Sequence, residues 1–254
     1  MILLHRITPF FIGLFAAAGL VGTFFVPEHP LWTIVAALII VVLLSARLLA
    51  WRFKTLQFWT LLGTPVLFLV SGYSLFLFFE DQSAKITMTV IVAMLLFFFA
   101  EHVFTYTHLP AKYQAYAIEH LSLLLNLLSL FFFSAAGFGG MILLQSPLYI
   151  MGAVFFLLVL FFVYSTLWAG KIENKRALSY SLAGALLATE IFTALSYLPT
   201  GFYTNAAVLA VCFYLFLGLS KAHFMNQLSR KVWKRYLFLG FSLLFLIAVT
   251  ARWL

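Results

Sequence analysis

Charged residues are scarce in this sequence: Asp, Glu, Lys and Arg make up 9% of its 254 residues, whereas hydrophobic residues make up 65%. A soluble domain of this length carries about 25% charged residues. Such a chain has too few groups that water can solvate to cover the surface of a globular domain, so water is excluded as its solvent. The composition predicts an all-α, polytopic integral membrane protein.

Cysteine is nearly absent as well. Cys212 is the only one and lies in an apolar run, which excludes internal disulfides and cysteine-ligated metal clusters. The sequence also lacks a P-loop, a dinucleotide fingerprint, a nucleophile elbow and an H-E-x-x-H pattern. Binding of nucleic acid is not expected, because the basic residues behind the net charge of +8 occur in short connections rather than in a basic extramembrane domain.

Long apolar runs are what the sequence has in abundance. Each is long enough to cross about 30 Å of hydrocarbon as an α-helix. We predict nine spans, at about 7–26, 31–49, 58–79, 86–107, 114–136, 148–169, 178–198, 203–220 and 236–252. Because only short connections remain between them, we expect one integral membrane domain over residues 1–254.

The distribution of basic residues predicts the orientation of the spans. If the N-terminus is cytoplasmic, every Lys and Arg except Lys85 and Arg252 falls at the inner ends of the spans, as the positive-inside rule expects. We therefore predict a multi-pass protein of the inner (cytoplasmic) membrane with its C-terminus outside. Its expected partners are the lipid bilayer and anionic lipids at the cytoplasmic face, with a membrane-protein partner or a homo-oligomer left open.

Three segments carry further expectations. Residues 221–235 are rich in basic residues, which predicts an inner stretch lying against anionic lipid. Residues 137–147 are apolar and rich in glycine, which predicts an outer interfacial or re-entrant segment. On span seven, small residues predict a helix-packing face: Ser181, Gly184, Ala185 and Ala188.

The scarce ionisable residues gather around the turn between spans four and five. Glu101 and His102 precede this turn, and Glu119 and His120 follow it. If the two helices are antiparallel and joined near Pro110, Glu101 and Glu119 lie at equal depth, about 8–12 Å inside the cytoplasmic end. An ionised carboxylate facing lipid there is penalised, so we expect both carboxylates to face the bundle interior, to be protonated or to have a partner.

Helical spacing places further polar residues on the faces of these two glutamates. The stripe on span four comprises Glu101, Thr105 and His108, and the stripe on span five comprises Glu119, Ser122, Asn126 and Ser129. Lipid cannot satisfy polar groups. We therefore expect the two stripes to pack against each other, with Glu190 of span seven as further lining.

Four interpretations of this site remain open. The first is a proton or cation relay formed by Glu101, Glu119, Asn126 and Glu190. The second is a metal site formed by Glu101, His102, Glu119 and His120, although adjacent residues on a helix point about 100° apart. The third is a haem held by His102 and His120. The fourth is purely structural hydrogen bonding between helices.

The function that we expect from the first interpretation is proton- or cation-linked transport of a small solute. Two alternatives come from other classes of protein. One is a membrane-embedded, metal-dependent enzyme acting on a lipid or quinone headgroup, and the other is a non-catalytic subunit of a membrane complex. The sequence assigns no cofactor.

Overall fold

The computed structural model describes residues 2–26 and 28–251, with side chains from His5 onward. This part of the chain is all-helical and contains nine helices that are long and apolar enough to cross a membrane. The predicted all-α class and the predicted number of long apolar helices are thereby confirmed for these residues. The helices are α1 Ile2–Phe25, α2 Pro30–Leu48, α3 Leu56–Phe76, α4 Gln82–His108, α5 Ala117–Leu143, α6 Leu148–Ala169, α7 Asn174–Leu195, α8 Phe202–Phe224 and α9 Arg230–Thr250.

Local sequence explains where several helices begin. Pro30 is the first residue of α2. A backbone N–H at this position has no partner within the helix, so its absence in proline costs nothing. The side chains of Thr55, Asp81 and Ser229 cap α3, α4 and α9 by accepting a hydrogen bond from a backbone N–H in the first turn. A 3₁₀ turn, Pro110–Lys112, follows α4. These caps satisfy backbone donors that would otherwise be unpaired where a helix enters the apolar phase.

The chain divides into two compact units, Met1–Leu125 and Asn126–Leu254, and the boundary lies inside α5. In the first unit, α1 packs along α4 and α2, and α3 packs against α2 and α4. The contact between α1 and its neighbours depends on Gly19. A Cβ atom at Gly19 would collide with the Tyr73 hydroxyl of α3 and with the Ala37 Cβ of α2. The absence of a side chain therefore lets three helices approach closely.

We expect Gly19→Leu to lower the free energy of unfolding by about 1–3 kcal/mol, because the larger side chain overpacks this contact. The matched control is Ala18→Leu, since Ala18 is exposed on the same turn of α1. Thermal unfolding of both variants in detergent measures the difference. Equal stabilities of the two variants would show that α1 does not pack through Gly19.

In the second unit, α6 packs along α7, and α8 packs against α7 and α9. Three stacked rings join the first helices of this unit: Phe192 of α7 lies 4.4 Å from Phe138 of α5 and 4.5 Å from Phe155 of α6, measured between ring centroids. The small-residue face predicted on α7 is buried, with Ser181 and Ala185 wholly inaccessible. That prediction is confirmed.

Two connections are shorter than the sequence indicated. The segment 137–147 is not an interfacial or re-entrant segment, because α5 continues through it to Leu143. Segment 221–235 is mostly helical: α8 continues to Phe224 and α9 begins at Arg230. In both places the backbone hydrogen bonds of the helices extend beyond the most apolar residues, since a helix satisfies its backbone in water and in lipid alike.

Candidate polar site on helix α5

The polar stripe on α5 is buried. Glu119 is 8% exposed, Ser122 is 2% exposed, and Asn126 and Ser129 are wholly inaccessible. Apart from His120 in the first turn, the exposed residues of the same helix, such as Leu124, are apolar. This burial is what the sequence required of a polar stripe in an apolar helix.

Asn126 is held by α6, in the second unit. Its Nδ2 donates to Ser165 Oγ at 2.8 Å, to Thr166 Oγ1 at 2.9 Å and to the Phe162 carbonyl oxygen at 3.3 Å. Both hydroxyls donate to that same carbonyl oxygen, at 3.2 Å from Ser165 and 2.7 Å from Thr166. Their lone pairs are therefore free to accept from the amide nitrogen, which fixes the orientation of the Asn126 side chain.

The other end of the Asn126 amide has no partner. Within residues 2–26 and 28–251, no hydrogen-bond donor reaches Asn126 Oδ1, although this oxygen is buried. Leaving a buried acceptor unpaired costs about 1–3 kcal/mol. A buried polar atom of this kind points to a bound water, an ion or another ligand that supplies the missing interaction.

A second buried asparagine in the same unit provides a comparison, because both ends of its side-chain amide form hydrogen bonds. Asn205 is 3% exposed and lies in the first turn of α8. Its Nδ2 donates to the Leu195 carbonyl oxygen at 3.0 Å, and its Oδ1 accepts from Thr200. Both ends of this amide are satisfied, and together they tie the end of α7 to the start of α8. Asn126 differs from Asn205 in its unpaired oxygen.

Asn126 has hydrogen-bond partners that the sequence did not predict. It bonds to two hydroxyl residues of α6, and packing of the α5 stripe on the α4 stripe stays a prediction. Sequence reasoning missed Ser165 and Thr166. The sequence did show two adjacent hydroxyl residues inside an apolar run. Their role could not be predicted, because it depends on which helix packs beside them.

The position of Glu119 along its helix differs from the prediction. Glu101 lies seven residues before the end of α4, about 10 Å along the axis, whereas Glu119 lies in the first turn of α5, about 3 Å from its start. The chain between the helices uses eight residues, including Tyr116 with φ of 68°, so α5 begins later than expected. Glu119 thus sits near the helix N-terminus, where the dipole favours a negative charge.

The side chains on α4 are only partly enclosed. Glu101 and His102 are both half-buried. In the part of the chain that the structure describes, the Glu101 carboxylate has no hydrogen bond or ion pair. His102 Nδ1 lies 2.9 Å from the Phe98 carbonyl oxygen of its own helix, so this nitrogen carries the proton and Nε2 is left as an acceptor.

Glu190 lies on the outside of the second unit. It is exposed and lines an open groove between α6 and α7, together with Gly152, Leu157 and Thr189. The sequence favoured a place for Glu190 in the bundle interior, and the structure instead puts it on the face opposite the buried small residues. Its role as a relay group stays a prediction.

No group of three His, Cys, Asp or Glu side chains among the described residues could hold a metal ion. His120 is exposed on α5. The metal assignment to Glu101, His102, Glu119 and His120, like the haem assignment to the two histidines, stays a prediction and gains no support from this arrangement.

Comparison with known protein families gives one match. The model of DUF5656, described as a protein of unknown function, matches residues 29–250. The chain belongs to the DUF5656 family. For this DUF5656 chain, the match runs from the residue before α2 to the end of α9 and therefore includes the α5 stripe and its partners on α6. No significant match was found among curated proteins or among solved structures.

Proposed function

We propose that this DUF5656 protein is a multi-pass membrane carrier that couples the passage of a small solute to a proton or a small cation. One observation carries the proposal: the unpaired and wholly buried Oδ1 of Asn126. An amide oxygen is a good ligand for a hydrated proton or an alkali cation, because it offers two lone pairs and no charge. Intramembrane polar groups of this kind typically mark ion or substrate paths.

The neighbouring residues on the α5 face extend this site along the helix. Glu119 lies seven residues from Asn126, which is about 10 Å along the axis. Ser122 lies between them, and Ser129 continues the face on the other side. We assign Glu119 as the titratable group near the inner end of the path and Asn126 as the neutral ligand deeper in the bilayer. Glu101 is the second carboxylate of the proposed relay.

The proposal includes the inner membrane as the location, with the N-terminus in the cytoplasm. Its support is the position of the basic side chains: Arg230, Lys231, Lys234 and Arg235 are exposed in the first turns of α9. Side chains of this length reach the headgroups from a helix end. Anionic lipids of the cytoplasmic leaflet are the partners that we propose for them.

The test is ion movement driven by solutes in proteoliposomes. Vesicles containing the purified protein and a pH-sensitive or sodium-sensitive dye are exposed in turn to amino acids, sugars, organic acids and amines. We expect at least one solute to produce ion movement that protein-free vesicles do not show. Absence of ion movement with every class of solute, under both a proton and a sodium gradient, would contradict the proposal.

A further inference from the structure

A cavity of about 350 Å³ lies in the first unit, at the end where α2 and α4 finish and α3 begins. It is separate from the α5 stripe. Its polar lining comprises Arg52, Thr55, Gln57, Tyr106, Thr107 and His108. This lining contains a basic side chain and several hydrogen-bond donors but no carboxylate, so the cavity suits an anion.

The loop that presents Arg52 is held in place by aromatic residues. Trp59 Nε1 donates to the Phe53 carbonyl oxygen at 2.9 Å, and the ring of Phe53 lies 4.8 Å from that of Phe58, measured between centroids. Ala50 and Trp51 adopt left-handed backbone conformations, with φ of 51° and 55°, which turn the chain sharply before Arg52. A loop fixed in this way is ordered before a ligand arrives, which reduces the entropic cost of binding.

No carboxylate among the described residues forms an ion pair with Arg52. Arg52 is exposed and lines the cavity. A guanidinium group presents paired N–H donors whose spacing matches two oxygens of a phosphate. Its exposed position also lets an incoming anion reach it without breaking an existing contact.

The ring of His108 is oriented by three contacts. Thr107 Oγ1 donates to the Val103 carbonyl oxygen at 2.8 Å, so its lone pair accepts from His108 Nδ1 at 2.7 Å. The ring stacks on Phe104 at 5.1 Å and meets the edge of His5 at 4.9 Å, both measured between centroids. These contacts occupy Nδ1 and fix the plane of the ring. Nε2 carries no proton in this tautomer, so His108 can accept a hydrogen bond from a hydroxyl group of a ligand in the cavity.

We propose that this cavity binds a phosphate group, with Arg52 as the charged ligand and Gln57 as a hydrogen-bonding ligand. The volume exceeds that of one phosphate, which leaves room for a hydroxyl group of the same ligand to donate to His108 Nε2. The aromatic residues Trp51 and Trp59 are exposed beside the loop, which places the cavity at the level of lipid headgroups. The phosphate belongs either to a phospholipid headgroup or to a soluble phosphorylated molecule.

Two binding measurements on the full-length protein distinguish these sources. Retention of phosphatidylglycerol by the delipidated protein is measured by native mass spectrometry, and binding of glycerol 3-phosphate is measured by calorimetry in phosphatidylcholine nanodiscs. Arg52→Gln is compared with Lys54→Gln, which removes an equal charge from the same loop outside the cavity lining. Thermal unfolding of each variant checks that it is folded, and His108→Phe, which keeps the ring packing, provides a second variant.

We expect wild type to bind at least one of the two probes. Arg52→Gln should weaken that binding at least about tenfold, because it removes a charge-assisted hydrogen bond, and Lys54→Gln should weaken it less than about twofold. If Arg52→Gln is misfolded, weaker binding of the probe by His108→Phe also supports the proposal. Binding of neither probe by wild type, equal loss in Arg52→Gln and Lys54→Gln, or unchanged binding in the folded cavity variants overturns it.

Discussion

Asn126→Leu is expected to abolish solute-driven ion movement while leaving the protein about as stable as wild type. The substitution removes the unpaired Oδ1, which is the atom proposed to bind the ion. It strands no donor, because the hydroxyls of Ser165 and Thr166 still donate to the Phe162 carbonyl oxygen. The change in the free energy of unfolding should therefore stay within about 1 kcal/mol. Dye-based flux and thermal unfolding measure the two quantities.

Asn205→Leu is the matched control for this substitution. It removes an amide of the same type and burial from the same unit, but one whose two ends are both bonded. We expect it to destabilise the protein by about 1–3 kcal/mol, because the Leu195 carbonyl oxygen and the Thr200 hydroxyl lose their partner. Ion movement per folded molecule should persist. If Asn126→Leu destabilises the protein but keeps ion movement, whereas Asn205→Leu abolishes ion movement but keeps stability, Asn126 is a structural residue.

Glu119→Gln is expected to reduce ion movement at least about tenfold, because it removes the carboxylate proposed to take up the ion near the inner end of α5. The change conserves shape and costs little stability, since the interaction of an acidic residue with the start of a helix contributes only about 0.3–1 kcal/mol. The measurement is the initial rate of ion movement at matched protein content in proteoliposomes.

Glu173→Gln provides the control for Glu119. Glu173 is an exposed acidic residue that pairs with Arg176 at 3.5 Å just before α7. Its replacement removes one negative charge from the surface and should leave the rate unchanged, because exposed ion pairs contribute little. Equal rates for wild type and Glu119→Gln would remove Glu119 from the proposed path.

The sequence was sufficient to predict the helices, because long apolar runs and caps act locally. The connection after α4 shows the limit of this reasoning. Pro110 indicated a turn, but nothing in the composition of residues 111–116 indicated that the next α-helix would begin only at Ala117, and this placed Glu119 in the first turn of α5. The burial of the α5 stripe followed from its spacing, since a polar face on an apolar helix must avoid lipid.

The hydrogen-bond partners of that stripe could not be predicted from the sequence. Which helix lies beside α5 depends on packing between residues 36–40 positions apart, as in the contacts of Asn126 with Phe162, Ser165 and Thr166. For Glu190, in contrast, the sequence contained the information needed to predict its exposure. It lies two residues from both Ala188 and Phe192, about 200° around the helix from the buried face. Its exposure could have been predicted from that angle.

The most direct test of the account is the accessibility of the α5 stripe to water. With Cys212 replaced by alanine, Ser122→Cys and Ser129→Cys are treated with a small cationic methanethiosulfonate reagent in intact membranes. Ser181→Cys is the control, since Ser181 is buried in a helix-packing face and its hydroxyl donates to the Ala177 carbonyl oxygen. A path for ions predicts that both α5 cysteines react and the control does not. Unreactive cysteines at both α5 positions, in folded protein, would show that the stripe is sealed hydrogen bonding between helices and would contradict the proposed function.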